Sequence, residues 1–410
     1  MTPNIALLGT GTFAKQSYLP ALLDLQGVTL NVHSVWSRSE GTVKSFIDSI
    51  KDQIQDSKVN LTPKVESGDQ GLNSILANKD IDAVLIVLPI TSQPEIIRKC
   101  LKAGKHVLSE KPIAKDVKDA KALIDEYERD YKSKGLIWRI AENYSHEPLL
   151  REASELISST PELGPILFWQ LNMQGYIEDG SKYHKTSWRT IPDYQGGFLL
   201  DGGVHWTAFL RTVLPESARP SSIISVSSLH RTHLLPHDTI HAISLPSKTK
   251  SYTESHGPKT KLTTASNKET EIPGESIGKS YPTGQILLSF ALPDLPKDKQ
   301  SINGLKINFL NAQIEIQSIP SKRSYLLEIT PAQGSNVEAI KKEGLMVGVN
   351  KEIELFTKAI SNLKQNPNDI EKENDQNYNH GKPSDALWDL KVLQAMLQSN
   401  GKEVSVDDLV

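Results

Sequence analysis

Asn4-Ile5-Ala6-Leu7-Leu8-Gly9-Thr10-Gly11-Thr12-Phe13-Ala14 decides how this chain folds. Residues 4 to 8 form a continuous apolar run of the kind buried on both faces in a parallel sheet. In the turn that follows, Gly9 permits the tight bend and Gly11 lets backbone approach a pyrophosphate. The small Ala14 lets the next helix pack close to the strand, with the N–H groups of Thr12, Phe13 and Ala14 facing phosphates. The same eleven residues can also be read as an ordinary strand-turn-helix. What favours a nucleotide turn is its setting, ahead of a helix carrying Tyr18, Leu19, Leu22 and Leu23 and a second strand from Leu30 to Trp36.

Outward from that start, strands and helices alternate. Ala83 to Leu88 reads as a strand, Gln93 to Ala103 as a helix and His106 to Ser109 as a strand. Val117 to about Lys132 reads as a helix and Ile137 to Ala141 as a further strand. Such βαβ alternation implies a doubly wound parallel sheet, with ligands outside the carboxyl ends of its strands. His106-Val107-Leu108-Ser109 therefore delivers Glu110-Lys111-Pro112 to the ligand edge. A lysine there is a compact ammonium that can hold or accept a proton beside a reacting oxygen; the plain alternative is a solvated surface lysine. The Lys111-Pro112 bond is of the kind that can be cis. The second strand ends in Ser37-Arg38-Ser39, with no carboxylate to accept from a ribose 2′-hydroxyl. Ser37 can donate to a 2′-phosphate and Arg38 can pair with it, so NADP(H) is expected over NAD(H). The competing reading leaves Arg38 as an exposed residue at a helix start.

Composition narrows the class. The 410 residues allow two domains, and 38% hydrophobic with 23% charged residues is ordinary for a globular chain. A net charge of −3 argues against a surface for nucleic acid or anionic membrane. Cys100, the single cysteine, excludes an internal disulfide framework and a cysteine-rich zinc site. No metal cluster stands out. The first strand begins almost at Met1, with no signal peptide ahead of it, and no apolar run reaches membrane-spanning length, so a cytoplasmic protein is expected.

From Glu142-Asn143-Tyr144 the chain enters different territory. Pro148 to Ser158 has helical spacing. Runs near Ile166 to Met173, Ile223 to Leu229, Thr239 to Leu245, Gln285 to Ala291, Leu305 to Leu310, Gln313 to Ile319 and Tyr325 to Ile329 read as strands of a largely antiparallel open sheet. Lys351 to Leu363 and Ser384 to Gln398 read as helices. The expected division is a dinucleotide-binding domain over 1–143, a substrate-binding and oligomerisation α+β domain over 144–385, and a C-terminal helix and tail over 386–410 packing back on the core. Polar stretches at 246–283 and 365–383 read as surface insertions.

Three motifs in order complete the picture: Gly9-x-Gly11-x-x-Ala14, then Ala103-Gly104-Lys105-His106-Val107-Leu108-Ser109-Glu110-Lys111-Pro112, then Gly196-Gly197-Phe198-Leu199-Leu200-Asp201-Gly202-Gly203-Val204-His205. Together they resemble the glucose-fructose oxidoreductase / inositol dehydrogenase (Gfo/Idh/MocA-type) family of nicotinamide-dependent oxidoreductases. Asp201 and His205 lie four apart, on one helix face, so Asp201 can contact a substrate oxygen or orient the imidazole, while Gly202 and Gly203 leave room for a nicotinamide. The resemblance implies a catalytic trio of Lys111, Asp201 and His205, with His205 as acid/base, Lys111 polarising oxygen and Glu110 bracing the lysine. It also implies that Leu88-Pro89 runs beneath the nicotinamide, that Trp188-Arg189 lies near cofactor and substrate, and that the open sheet face makes dimers or larger homo-oligomers. Gln93 stands where family members often have histidine. Tyr144, Tyr176, Tyr183 and His184 are expected at the rim of the cleft, suiting a sugar, polyol or small aldehyde or ketone. The alternative from another class is a cofactor-binding sensor or regulator that keeps the fold without the reaction.

Overall fold

The computed structural model describes residues 2–54, 60–182, 184–186, 189, 191–192, 194–247, 253–254, 279–296, 299–366 and 381–410. Strands β1 Asn4–Leu8, β2 Asn31–Ser37, β3 Lys64–Ser67, β4 Ala83–Ile86, β5 His106–Glu110 and β6 Trp138–Ala141 form one sheet in the order β3-β2-β1-β4-β5-β6. All its pairings are parallel. The strand order reverses between β1 and β4, which opens a crevice outside their carboxyl ends. Ile5 to Leu8 and Ala83 to Ile86 are wholly buried, as their continuous apolar character requires. Helices α1 Leu19–Leu25, α2 Glu40–Ile54, α3 Gly68–Ala77, α4 Gln93–Lys102 and α5 Val117–Asp130 connect the strands. The Asp116 carboxylate caps α5, accepting from the Asp119 N–H at 2.8 Å.

In this sheet and its helices two details differ from the sequence reading. Strand β3 was not expected; it is a four-residue edge strand with Lys64 and Val65 exposed, too short and polar to show a buried period. The helix after the glycine turn does not start as an α-helix, because Ala14–Tyr18 forms a π-helical turn that leads into α1. This wider turn accompanies an inward Tyr18, whose hydroxyl donates to Glu110 Oε1 at 2.7 Å.

The second sheet contains β7 Ile166–Gln174, β8 Ser222–Ser228, β9 Thr239–Leu245, β12 Thr283–Ser289, β13 Asn303–Phe309, β14 Ala312–Ile319, β15 Ser324–Pro331, β16 Ile340–Leu345 and β17 Glu403–Ser405; a separate ribbon pairs β10 Thr253–Glu254 with β11 Lys279–Ser280. Its order is β16-β15-β14-β13-β7-β12-β9-β8-β17, antiparallel throughout except where β12 runs parallel to β7. One face buries Trp169, Leu171, Met173, Leu288 and Ile307 in a core shared with α6 Pro148–Ser159, α7 Gly197–Val213 and α9 Pro383–Ser399. The alternate residues Phe168, Val226 and Ile243 are exposed by 45%, 57% and 51%, so the other face is open. The edge strand β16, mostly exposed and carrying Lys341 and Lys342, was missed for the same reason as β3. Most of the polar stretches 246–283 and 365–383 lies outside the described residues. No helix among the described residues is long and apolar enough to cross a membrane.

Helix α8 Gly348–Gln365 is distant in sequence from the parallel sheet yet packs on it, placing Ile353, Phe356 and Ile360 in one core with Leu7, Leu85 and Leu108. The Glu147 carboxylate anchors its start by accepting from the N–H groups of Val347 at 2.9 Å and Gly348 at 3.0 Å. A Cβ at residue 348 would lie 2.2 Å from the Asn143 carbonyl oxygen, so only glycine allows this approach.

Helix α7 is clamped from the opposite side. The Arg211 guanidinium grips both Asp389 carboxylate oxygens at 2.8 Å and donates to Ser145 Oγ at 2.9 Å, all inside the core. Removing one partner of such a pair leaves a buried charge uncompensated. Arg211→Met is expected to lower unfolding stability by about 3–5 kcal/mol in chemical denaturation, whereas the double change with Asp389→Leu recovers most of the loss.

Candidate active site

The site forms where the crevice of the parallel sheet meets the first turns of α7. Gly9, directly after β1, has φ +111°, and a Cβ there would sit 2.1 Å from the Val87 carbonyl oxygen. Gly11 has open space in front of it. Thr10 Oγ1 is buried without a hydrogen-bond partner among the described residues. A turn cleared of side chains and holding an uncommitted hydroxyl at a helix start fits a dinucleotide's phosphates. The N–H of Gly9 donates to the Trp36 carbonyl at 2.8 Å, which brings the end of β2 alongside; there Ser37 is half-buried and Arg38 exposed.

One cavity of about 410 Å³ runs from this turn to α7. Gly11, Thr12, Phe13 and Ala14 line one end, and Leu88 and Pro89 after β4 line its floor. Glu110 and Lys111 enter from β5, Asp201, Gly202 and His205 from α7, and Arg189 and Thr186 from the connection preceding α7. The Lys111-Pro112 peptide is cis.

Asp201 is the electrostatic centre. Lys111 Nζ donates to its backbone carbonyl at 2.9 Å and to Oδ1 at 3.3 Å, while Arg189 Nε donates to Oδ2 at 2.8 Å. Burial would push this carboxyl up, but the Lys111 and Arg189 charges reverse the effect and hold it at about 2. The imidazole is oriented by a different acid: His205 Nδ1 lies 2.8 Å from Glu142 Oε1. Glu142 is buried, which would raise it, yet His205 and Lys111 hold it below the ordinary carboxylate range. An ionised Glu142 accepts, so Nδ1 carries the hydrogen and Nε2 is left as the ring's acceptor. The Tyr144 ring stacks on the imidazole, with centroids 4.8 Å apart and planes at 21°. Beneath Lys111, burial pushes Glu110 up to about 7, opposed by the lysine's charge and the Tyr18 hydroxyl.

Several expected residues sit elsewhere. Tyr144 does not line the cavity; it supports His205 from behind. Tyr176 borders a separate depression with Gln174 and Leu292, its ring beneath Arg231, because its bridge to Ala291 holds it at the far end of β7. His184 is buried in its own loop, accepting from the Gly180 N–H at 3.2 Å with Nε2 2.6 Å from the His233 carbonyl. Gly203 faces Leu393 and Leu288 in the core, whereas a Cβ on Gly202 would lie 2.6 Å from Phe290. Tyr183 and Trp188 lie outside the described residues. Asp201 is engaged by cations, and the acid that orients the imidazole, Glu142, was missed. Its signal was available: it directly follows β6, at the same sheet edge as Lys111.

A doubly wound sheet with a glycine turn at its switch point, opening onto a polar cavity with lysine and imidazole, defines an NAD(P)-dependent oxidoreductase. Residues 3–133 match the model of an oxidoreductase family with an NAD-binding Rossmann fold. The chain is 33% identical over 399 residues to the dehydrogenase FPY6 of Fusarium mangiferae, covering 97% of this chain and 96% of that one. It is similar in fold to an oxidoreductase of Thermotoga maritima, with a TM-score of 0.72 at 24% identity over the whole of both chains. A levoglucosan dehydrogenase in complex with NADH and levoglucosan has a TM-score of 0.69 at 17% identity, over 99% of this chain and 100% of the other. The chain belongs to the Gfo/Idh/MocA oxidoreductase family.

The triplet carries a pH signature. A carboxyl held low in the folded state adds stability that is complete above its unfolded pKa and disappears as pH falls through the folded value. The stability difference between wild type and Asp201→Asn is expected to be steady above about pH 4 and to shrink by about 2 kcal/mol on approach to pH 2. Urea unfolding at stepped pH measures it.

Proposed function

We propose that this enzyme is NADP(H)-preferring and interconverts a hydroxyl and a carbonyl carbon on a small sugar-like, polyol or aldehyde/ketone substrate, with Lys111 and His205 handling the proton. The observation that carries the reading is the meeting of Lys111, Asp201 and His205 on one cavity that begins at the glycine turn. When bound, the nicotinamide supplies the hydride acceptor or donor.

The chain's own residues supply the rest. The hydrogen on Nδ1, held by Glu142, leaves His205 Nε2 to accept the hydroxyl proton in oxidation and to return it in reduction. The Lys111 ammonium, fixed against Asp201, stabilises alkoxide character on the same oxygen. Phe13, Phe198 and Phe290 on the cavity wall limit water and offer apolar faces beside the polar cluster, as sugars and polyols use. That levoglucosan dehydrogenase shares the fold supports this substrate class. Ser37 and Arg38, with no acid at the end of β2, support a 2′-phosphate. The exposed Phe168, Val226 and Ile243 on the open sheet face support a homodimer or larger homo-oligomer, and the single cysteine, buried, supports a cytoplasmic enzyme.

Lys111→Ala is expected to lower kcat by two or more orders of magnitude while NADPH still binds; turnover retained in a screen of sugars, polyols, aldehydes and ketones refutes its role. Arg38→Ala is expected to raise the dissociation constant of NADPH at least tenfold more than that of NADH, by fluorescence titration. Equal changes for the two cofactors refute the preference.

A further inference from the structure

Behind the cavity lies a group that the reaction scheme leaves unused. Glu352, one turn into α8, is 2% exposed, and its Oε2 has no hydrogen-bond partner among the described residues. Glu142 Oε2, the oxygen turned away from His205, is buried and unpartnered in the same way. Helix α8 brings Glu352 under the site by packing on β5, on β6, on the 143–146 turn and on the π-helical turn of Tyr18. Glu110 and Lys111 face it from β5, Arg139 from β6, Glu142, His146 and Glu147 from around the turn, and Tyr18 from the π turn.

Charge balance limits the state of this cluster. Lys111 and Arg189 are both committed to Asp201, and His205 to Glu142. Glu147 spends its oxygens on the start of α8. Arg139, which borders a small cavity with Glu352, donates to the Trp138 carbonyl at 3.1 Å, and Glu352 Oε2 has no partner among the described residues. Ionised carboxylates gathered in a low-dielectric interior repel strongly, and protonating one of them relieves the repulsion. In keeping with this, burial and then the charges of Glu110, Glu142 and Glu147 push the Glu352 carboxyl well above its ordinary range.

We propose that Glu352 is a proton-holding positioning residue for the reaction: a neutral acid that gives up its proton when the Glu142–His205 pair gains one, the two being coupled by charge across the interior. In oxidation, the substrate O–H bond breaks and its proton forms an N–H bond at His205 Nε2, while the hydride pair leaves with the nicotinamide. The Nδ1 proton passes to Glu142 Oε1, which removes the negative charge facing Glu352; Glu352 then breaks its O–H bond and gives its proton to a water in the small cavity beside it, so the net charge of the site is restored. Reduction runs the same transfers backwards. Glu352 also borders a cavity of about 10 Å³ with Arg139 and His146, at the lower limit for one water, through which that proton can be exchanged. The proposal rests on reading His205 as the acid/base.

The test compares full-length wild type with Glu352→Gln, a neutral isostere, and with Glu352→Asp. At neutral pH the infrared spectrum of Glu352→Gln is expected to lack one carboxylic-acid carbonyl band present in wild type, while Glu352→Asp shifts that band, which keeps the assignment testable should the amide not fold. NADPH binding stays unchanged, kcat falls about tenfold or more with little change in KM, the pH profile of kcat changes shape, and Glu352→Asp restores part of the rate. A spectrum with no band to lose means an ionised Glu352 and overturns the proposal; so does a normal kcat across the pH range once the band is gone. If wild type turns over no sugar or polyol with either nicotinamide, the reading of His205 fails, and the infrared band still decides whether Glu352 holds a proton.

Discussion

The ion triplet of Lys111, Asp201 and Arg189 is the constraint on which the rest of the site depends. Each of these groups is largely removed from water, with side-chain exposures of 11%, 10% and 15%. Burying one such charge alone costs several kcal/mol, and good mutual geometry is what offsets it. Lys111 and Asp201 are 90 residues apart in sequence. Their contact therefore requires that β5 end at the crevice, that α7 begin there too, and that the two sheets hold a fixed relation. Arg189 adds a third segment to the same requirement.

Helix α7 satisfies several demands through its period alone. Asp201 and His205, one turn apart, face the cavity and meet different partners, cations for one and Glu142 for the other. Further along, Arg211 turns into the core and locks the helix to α9 through Asp389. Gly202, between the two cavity residues, keeps Phe290 against the helix where any side chain would collide. The cavity-lining face is thus held by bonds made elsewhere on the helix, and side chains that must be placed to within an ångström need such support.

How much of this could be read in the residues follows from what leaves a local pattern. Buried strands such as Ile5 to Leu8 and Ala83 to Ile86 are legible because burial on both faces demands an unbroken apolar run. The edge strands Lys64–Ser67 and Ile340–Leu345 carry no such demand and were invisible. Lys111, Asp201 and His205 stood out because each sits in a local motif, and the fold brings them to one cavity. Glu142 and Glu352 have no motif. Their places come from contacts between segments distant in sequence, and only the packing of α8 on the parallel sheet and the 143–146 turn puts Glu352 beneath the site. Tyr144 and Tyr176 show the converse, since lying on a cleft-bordering segment does not decide which way a side chain turns.

The π-helical turn links the two halves of the site. Ala14 belongs to the glycine turn, Tyr18 ends the π segment, and the Tyr18 hydroxyl holds the acid adjoining Lys111 in sequence. π-helical turns are rare and concentrate at functional sites because they cost hydrogen-bond geometry. Here the distortion places a buried hydrogen bond between the segment that would carry phosphates and the segment that carries the amine. In a low-dielectric interior, charges a few ångströms apart interact by kcal/mol rather than tenths. The Lys111 charge therefore acts on Glu110, whose carboxylate in turn accepts from Tyr18, so one acid joins the glycine-turn segment to the amine. The turn proposed to hold phosphates and the segment proposed to handle the proton are thus joined by one short path through the interior.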